Sequence, residues 1–155
     1  MNKKFTYGDQ FSPKKFKWKD LLGFIKNANG NREKLNELIG DEYYPSSGTS
    51  QRTMAMNAVL SLNSYCIIKI DDISTSYSIT TLFNDLVECK LDQERYKLFA
   101  KHILTNLDGL VLVRCIDLMN NRGDDVNLEN IHYELQDWGF DISPSCTYVS
   151  TMKAW

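Results

Sequence analysis

The sequence predicts a mainly α-helical fold made of two similar halves, the first of which carries a small β-hairpin. Three observations lead there. Apolar residues recur three and four positions apart along most of the chain, in runs bounded by Asn, Asp, Ser and Gly where helix caps belong. Two short β-branched runs, YCIIKI (65–70) and YSIT (77–80), flank the polar DDISTS and read as a hairpin. The order of elements also repeats: a helix ending in an Asn/Gly loop (NANGN, later NNRGD), a capped second helix, a hydroxyl-led loop and a third helix.

In chain order, Asp20 is placed to cap a helix through LLGFIKNA, with Leu21, Leu22, Phe24 and Ile25 as its apolar stripe and Asn29-Gly30-Asn31 as its stop. Asn31 caps NREKLNELI, where Leu35, Leu38 and Ile39 face inward. EYYPSSGTS is a loop whose Thr49 or Ser50 caps QRTMAMNAVLSLNSY, with Ala55, Ala58, Val59 and Leu62 inward. After the hairpin, LFNDLVECKL has Leu82, Phe83, Leu86 and Val87 at helical spacing. Asp92 caps QERYKLFAKHILTN, a helix expected to link the halves through Tyr96, Phe99, Ile103 and Leu104. GLVLVRCIDLMNNRGDD is an apolar helix ended by Asn120-Asn121-Arg122-Gly123, and Asn127 caps NLENIHYELQDWGF with Leu128, Ile131, Leu135 and Trp138 inward. Ser143-Pro144 starts the last helix, on which Val149, Met152 and Trp155 share one stripe. The second half lacks a hairpin, and the sequence stops on that stripe, so the protein is expected to continue past Trp155. The organisation read from this pattern is a basic arm over 1–19, a first unit over 20–91, and a linking helix with a second unit over 92–155 that stops before its hairpin.

With 155 residues, 43% of them hydrophobic and 25% charged, the chain suits one medium domain or two small ones sharing a core. It holds no apolar run long enough to cross a bilayer and no secretory leader, which predicts a cytoplasmic protein with no membrane partner. Cys66, Cys89, Cys115 and Cys146 lie far apart, without a Cys-x-x-Cys pair, so buried free thiols are expected and no metal site. Net charge is −2, but it is unevenly spread. Residues 1–34 carry nine Lys and Arg against three Asp and Glu, a net of +6, which leaves −8 on the other 121 residues. A basic arm on an acidic body can track a phosphate backbone, because charge acts locally beyond a Debye length of ~8 Å. Phe5, Tyr7, Phe11, Phe16 and Trp18 lie among the lysines, and aromatics in that number are expected to pack on something.

Three helices followed by a hairpin is the order of a winged helix, a helix-turn-helix unit whose third helix enters a major groove of ~12 Å while the hairpin, or wing, touches the flanking backbone. The predicted fold is therefore a tandem of winged-helix units. The outward residues of the first third helix are Gln51, Arg52, Thr53, Met56 and Asn57. Gln and Asn can pair with adenine, Arg with guanine, and Thr with a phosphate or a thymine methyl. The matching face of the last helix, Ser145, Thr147, Tyr148, Thr151 and Lys153, suits phosphates, as do Lys14, Lys15, Lys17 and Lys19 in the arm.

The segments FAKHILTNLDGLVLVRCIDLM, VNLENIHYELQDWGFDISPS and YVSTMKAW, preceded by QRTMAMNAVLSLNSYCII, resemble the tandem winged-helix DNA-recognition region at the N-terminus of multidomain bacterial restriction endonucleases and related defence proteins. The resemblance covers roughly residues 11–155. It implies sequence-selective binding of double-stranded DNA and a C-terminal nuclease domain as partner; cleavage carries over to no residue of this chain. A homodimer is compatible with it.

Two other readings are weighed against this one. Glu88-Cys89-Lys90 matches half of a metal-dependent nuclease core, with Asp71 or Asp72 upstream to complete a magnesium site, but its helical spacing predicts a solvated helix face where the chemistry needs a strand. His102 and His132 stand apart from any Ser or Cys nucleophile in the sequence, and the eight glycines form no phosphate loop. No catalytic residue and no cofactor is expected. The alternative in another class is a winged-helix scaffold that binds protein, favoured by the acidic body and the eight tyrosines.

Overall fold

The computed structural model describes residues 2–71 and 75–155. Among them the chain is mainly helical, in the order β1 (Lys3–Lys4), α1 (Trp18–Ala28), α2 (Arg32–Tyr43), a 3-10 turn (Gly48–Ser50), α3 (Gln51–Ser64), β2 (Ile68–Ile70), β3 (Tyr77–Ile79), α4 (Thr81–Glu88), α5 (Asp92–Asn106), α6 (Gly109–Arg122), α7 (Leu128–Asp137), β4 (Phe140–Asp141) and α8 (Tyr148–Ala154).

Local chemistry sets most boundaries. Asn31 Oδ1 accepts from Lys34 N at 3.0 Å and Asn127 Oδ1 accepts from Asn130 N at 2.9 Å, so both predicted caps hold. Gly123 ends α6 at φ 76°, a left-handed turn that glycine adopts without strain. The apolar stripes bury as their spacing predicts: Leu21, Leu22 and Ile25 of α1, Leu35 and Ile39 of α2, and Ala55, Ala58, Val59 and Leu62 of α3. β2 and β3 pair antiparallel, Ile68 opposite Ile79 and Ile70 opposite Tyr77. Tyr77 is buried, and its hydroxyl donates to Ile25 O at 2.6 Å, pinning the hairpin to α1.

Other expectations are corrected. Asp20 lies inside the first turn of α1, which starts at Trp18, and Ser50 makes no side-chain cap because a 3-10 turn already feeds α3. Asp92 is the first helical residue of α5, bound to Arg95 at 2.7 Å, while Glu94 Oε2 accepts from Lys90 N and Leu91 N and closes that helix start. Leu104 and Leu128 are exposed. Ser143 and Pro144 open a turn, with Ser143 Oγ beside Ser145 Oγ at 2.8 Å, and α8 begins only at Tyr148. Of the four thiols only Cys115 is buried; Cys66 is exposed.

Residues 3–16 form a strap that joins the N-terminal helices to the C-terminal ones. β1 lies parallel to β4, and Lys3 N donates to Gly139 O at 3.0 Å. Thr6 N and Oγ1 both donate to Asp108 Oδ2, at 2.7 and 2.6 Å. Gly8 is buried, and a Cβ there would meet Thr151 Cγ2 at 2.9 Å, so only glycine lets the strap lie this close to α8. Phe11 then enters an aromatic centre, its ring 5.7 Å from Phe16, 5.3 Å from Tyr65, 6.1 Å from Phe99 and 4.7 Å from Trp155. The indole N–H of Trp155 donates to Phe11 O at 3.0 Å. Trp18 packs edge-on against Phe99 at 5.0 Å, so α1, α3, α5 and the chain after α8 share one core through the strap.

Burial, then the charge of Asp9, pushes the Tyr7 phenol up to about 12, and the same two causes raise that of Tyr44. Burial followed by Asp108 raises that of Tyr65. A folded-state pKa above the unfolded value of about 10 gives stability that is complete below pH ~10 and is lost as pH climbs through the folded values. The melting midpoint should therefore hold steady to about pH 9 and fall between about pH 10 and 12, with the tyrosinate absorbance of Tyr7, Tyr44 and Tyr65 rising only as the chain unfolds. Tyrosinate absorbance from these residues in a still-folded chain at pH ~10 would contradict the burial described.

Candidate nucleic-acid interface

The outward face of α3 divides into a committed part and a free part. Gln51 Nε2 donates to Gly40 O at 3.0 Å and so clips α3 to the end of α2. Asn57 Nδ2 donates to Asp9 Oδ2 at 3.1 Å and so clips α3 to the strap. Both amides are engaged within the chain, so reading a base would require each to give up that contact. Thr53 is exposed, and Arg52 is exposed with one ion pair, to Glu33 at 3.2 Å. An open pair of this kind contributes ~0–1 kcal/mol, so a nucleic acid could displace it.

The hydroxyls near the C-terminus have a structural role that the sequence did not disclose. Thr147 Oγ1 donates to Gly8 O at 2.8 Å and lies 3.3 Å from Asp9 Oδ1, and Thr151 Oγ1 reaches the same Gly8 carbonyl at 3.1 Å. The Tyr148 ring packs on Tyr7 with centroids 5.0 Å apart. Ser145 sits in the turn before α8, and Lys153 is exposed on it. Thr147, Tyr148 and Thr151 therefore dock the strap.

The strap lysines are all exposed. Lys15 Nζ stands 3.9 Å over the Tyr44 ring, a cation–π contact, and Tyr44 OH donates to Gln10 O at 3.1 Å. Lys14, Lys15, Tyr44, Thr147 and Ser150, with Asp9, line one groove of about 360 Å³. Arg52 belongs to a different cleft of about 200 Å³, where it meets Arg32, Glu33, Asn36 and Met56 of α2 and α3 and Thr75 of the hairpin. The expected contacts thus fall into two basic places, with Lys17, Lys19 and Lys153 lining neither cleft. Arg32 and Asn36 were not singled out from the sequence; their one signal is an i, i+4 polar pair flanking the buried Leu35.

The Glu88-Cys89-Lys90 alternative gains no geometry, whereas His132 Nε2 does come within 3.9 Å of Cys146 Sγ, a pair that the sequence spacing did not suggest. Glu88 ends α4, Cys89 is extended and Lys90 lies past the helix, so the tripeptide occupies no strand. Asp71 Oδ2 accepts from Ser76 Oγ at 2.8 Å, and Asp72 lies outside the described residues. Among the described residues no three His, Cys, Asp or Glu side chains gather where they could hold a metal. His102 has both ring nitrogens engaged, one with Tyr65 O at 3.0 Å and the other with Asn106 at 3.1 Å, and burial holds its pKa below the usual value. Cys66 is exposed as a residue, but partial desolvation of its sulfur raises the thiol pKa. Among the described residues no helix is long and apolar enough to cross a membrane. The chain matches no family model, no curated protein and no solved structure.

Ser61 is the strap's clip on α3. It is fully buried, accepts from Asp9 N at 2.8 Å and donates to Asp9 O at 2.7 Å. Ser61→Ala should cost about 1–3 kcal/mol by urea denaturation, because it leaves a peptide N–H and C=O unpaired. Amide exchange across residues 6–11 should speed up more than in α6. Unchanged protection of those amides would show that the strap is held elsewhere.

Proposed function

We propose that the chain is a cytoplasmic, sequence-selective module for double-stranded DNA, built on the winged-helix plan and serving as the target-recognition part of a restriction endonuclease or related defence protein. The observation that carries the reading is how the hairpin is seated. Tyr77 N donates to Gly30 O at 2.9 Å and Arg32 N donates to Thr75 O at 2.8 Å, with Asn31 bridged to Ser76. The hairpin is thereby fixed against the α1–α2 connection and shares a basic cleft with the first turns of α2 and α3. A helix whose exposed start carries Arg52 and Thr53 beside a wing supports groove entry by α3, with the strap lysines on the flanking phosphates.

The scaffold reading has one observation in its favour: Leu110, Val113 and Leu118 are exposed apolar residues on α6. Selection from random duplexes separates the two, since a scaffold enriches no sequence.

Once a preferred site is known, Arg52→Ala should weaken it by ~1–3 kcal/mol while random duplex is barely affected. Replacing Lys14, Lys15, Lys17 and Lys19 with alanine should weaken every sequence alike and lower the slope of log K against log salt by ~0.9 per lost phosphate contact. No enrichment, together with no binding to random duplex at low salt, would leave the protein-binding scaffold as the account.

A further inference from the structure

Among the described residues, Cys146 is the one thiol whose hydrogen-bond contact is a basic nitrogen: its Sγ lies 3.9 Å from His132 Nε2. The other sulfurs face atoms that cannot take a proton. Cys66 Sγ donates to Ser64 O at 3.9 Å, Cys89 Sγ donates to Asp85 O at 3.3 Å, and the buried Cys115 Sγ meets Met119 Sδ at 4.0 Å.

The fold fixes both members of the pair. His132 is buried on α7, and its Nδ1 stands 2.6 Å from Leu128 O, a carbonyl that can only accept. The ring proton therefore sits on Nδ1, and the lone pair of Nε2 is turned to the sulfur. One turn later on α7, Gln136 Nε2 donates to Ile142 O at 2.8 Å and holds down the segment that leads to Cys146. Cys146 N then closes a turn on Ser143 O at 3.1 Å. A thiol, a base beside it and a third group that orients the base form the arrangement of an activated nucleophile. The 3.9 Å contact is long, as such contacts commonly are before a reagent arrives. Cys146 is half-buried between the exposed Ser145 and Thr147, which leaves it within reach of a small reagent.

We propose that Cys146 is a modification site for small hydroperoxides, with His132 as its base. His132 Nε2 takes the thiol proton as the sulfur attacks the outer peroxide oxygen. The S–O bond forms, the O–O bond breaks, and the imidazolium gives the proton to the leaving oxygen, which departs as water or an alcohol. The sulfur loses two electrons to the peroxide and becomes a sulfenic acid. Hydroxide and alkoxide leave poorly without that proton, so a base able to return it favours a peroxide. Low-molecular-weight thiols restore the residue, one condensing to a mixed disulfide with loss of water and a second releasing Cys146. DNA binding plays no part in this site.

The test compares the folded full chain with the same chain unfolded in urea, both at neutral pH, using limiting iodoacetamide and mass spectrometry of each cysteine. A half-buried thiol without a base alkylates more slowly folded than unfolded. Cys146 should instead alkylate about tenfold faster when folded, and ahead of the more exposed Cys66. Substoichiometric hydrogen peroxide followed by dimedone, which traps sulfenic acids, should mark Cys146 first. His132→Gln should bring the folded rate of Cys146 down to the unfolded rate or below it while melting stays cooperative. If that variant fails to fold, the wild-type comparison decides. Cys146 slower in the folded chain than in urea, or Cys66 labelled ahead of it by either reagent, overturns the site. An alkylated Cys146 that yields no dimedone adduct overturns the assignment to peroxides.

Discussion

The packing of Phe11 is the contact on which the remaining architecture depends. Its ring touches Tyr65 at the end of α3, Phe99 in the middle of α5 and Trp155 beyond α8, and it is 1% exposed. No single segment buries that centre alone, since Tyr65 follows α3, Phe99 lies in α5 and Trp155 follows α8. The strap that delivers Phe11 is held by polar contacts on both flanks, Asp108 accepting from Thr6 before it and Trp155 donating to Phe11 O at it. Aromatic burial supplies the energy, and these hydrogen bonds set the register.

The strap also decides which polar side chains remain for a ligand. Asp9 draws Asn57, Ser61 and Thr147 to one carboxylate and its backbone, which removes three hydroxyl and amide groups from the outer surface. Arg32, Arg52 and Thr53 escape because they face the hairpin or open solvent at the other end of the α2–α3 pair. A lysine-rich segment packed through Phe5, Phe11 and Phe16 also carries its charges in fixed positions, so its electrostatic field has a direction that a loose tail would lack.

Features set within a few residues were legible in the sequence. The Asn31 and Asn127 caps, the Gly123 stop and the hairpin at 68–79 each depend on neighbours in the chain. Helical spacing likewise identified the inward faces of α1 to α3. It could not tell what covers a face: Leu104 and Leu128 continue apolar stripes that nothing covers, while Thr147 and Thr151 look solvated until the strap is laid on them. Phe5, Phe11 and Phe16 announced that the arm packs, but their partners lie as far along the chain as residues 140 and 155. The same limit hid the cleft that holds Arg32 and Arg52, whose members come from α2, α3 and the hairpin and meet only in three dimensions.

The strap has a consequence for how the chain acquires its fold during synthesis. Gly8 O and Phe11 O accept hydrogen bonds from Thr147, Thr151 and Trp155, groups that are made 139 to 144 residues later. At ~5–20 residues per second, the strap emerges and then waits roughly 7 to 29 s for its partners. Throughout that interval Phe5 lacks Phe140, and Phe11 lacks Trp155. Helices α1 to α3 and the hairpin have local partners and form early, whereas closure of the aromatic centre waits until residue 155 has been made and is slow, because its loops are long. A nascent chain of this protein therefore presents a sticky, positively charged aromatic segment beside the ribosome, the kind of surface that general chaperones cover until translation has passed residue 155.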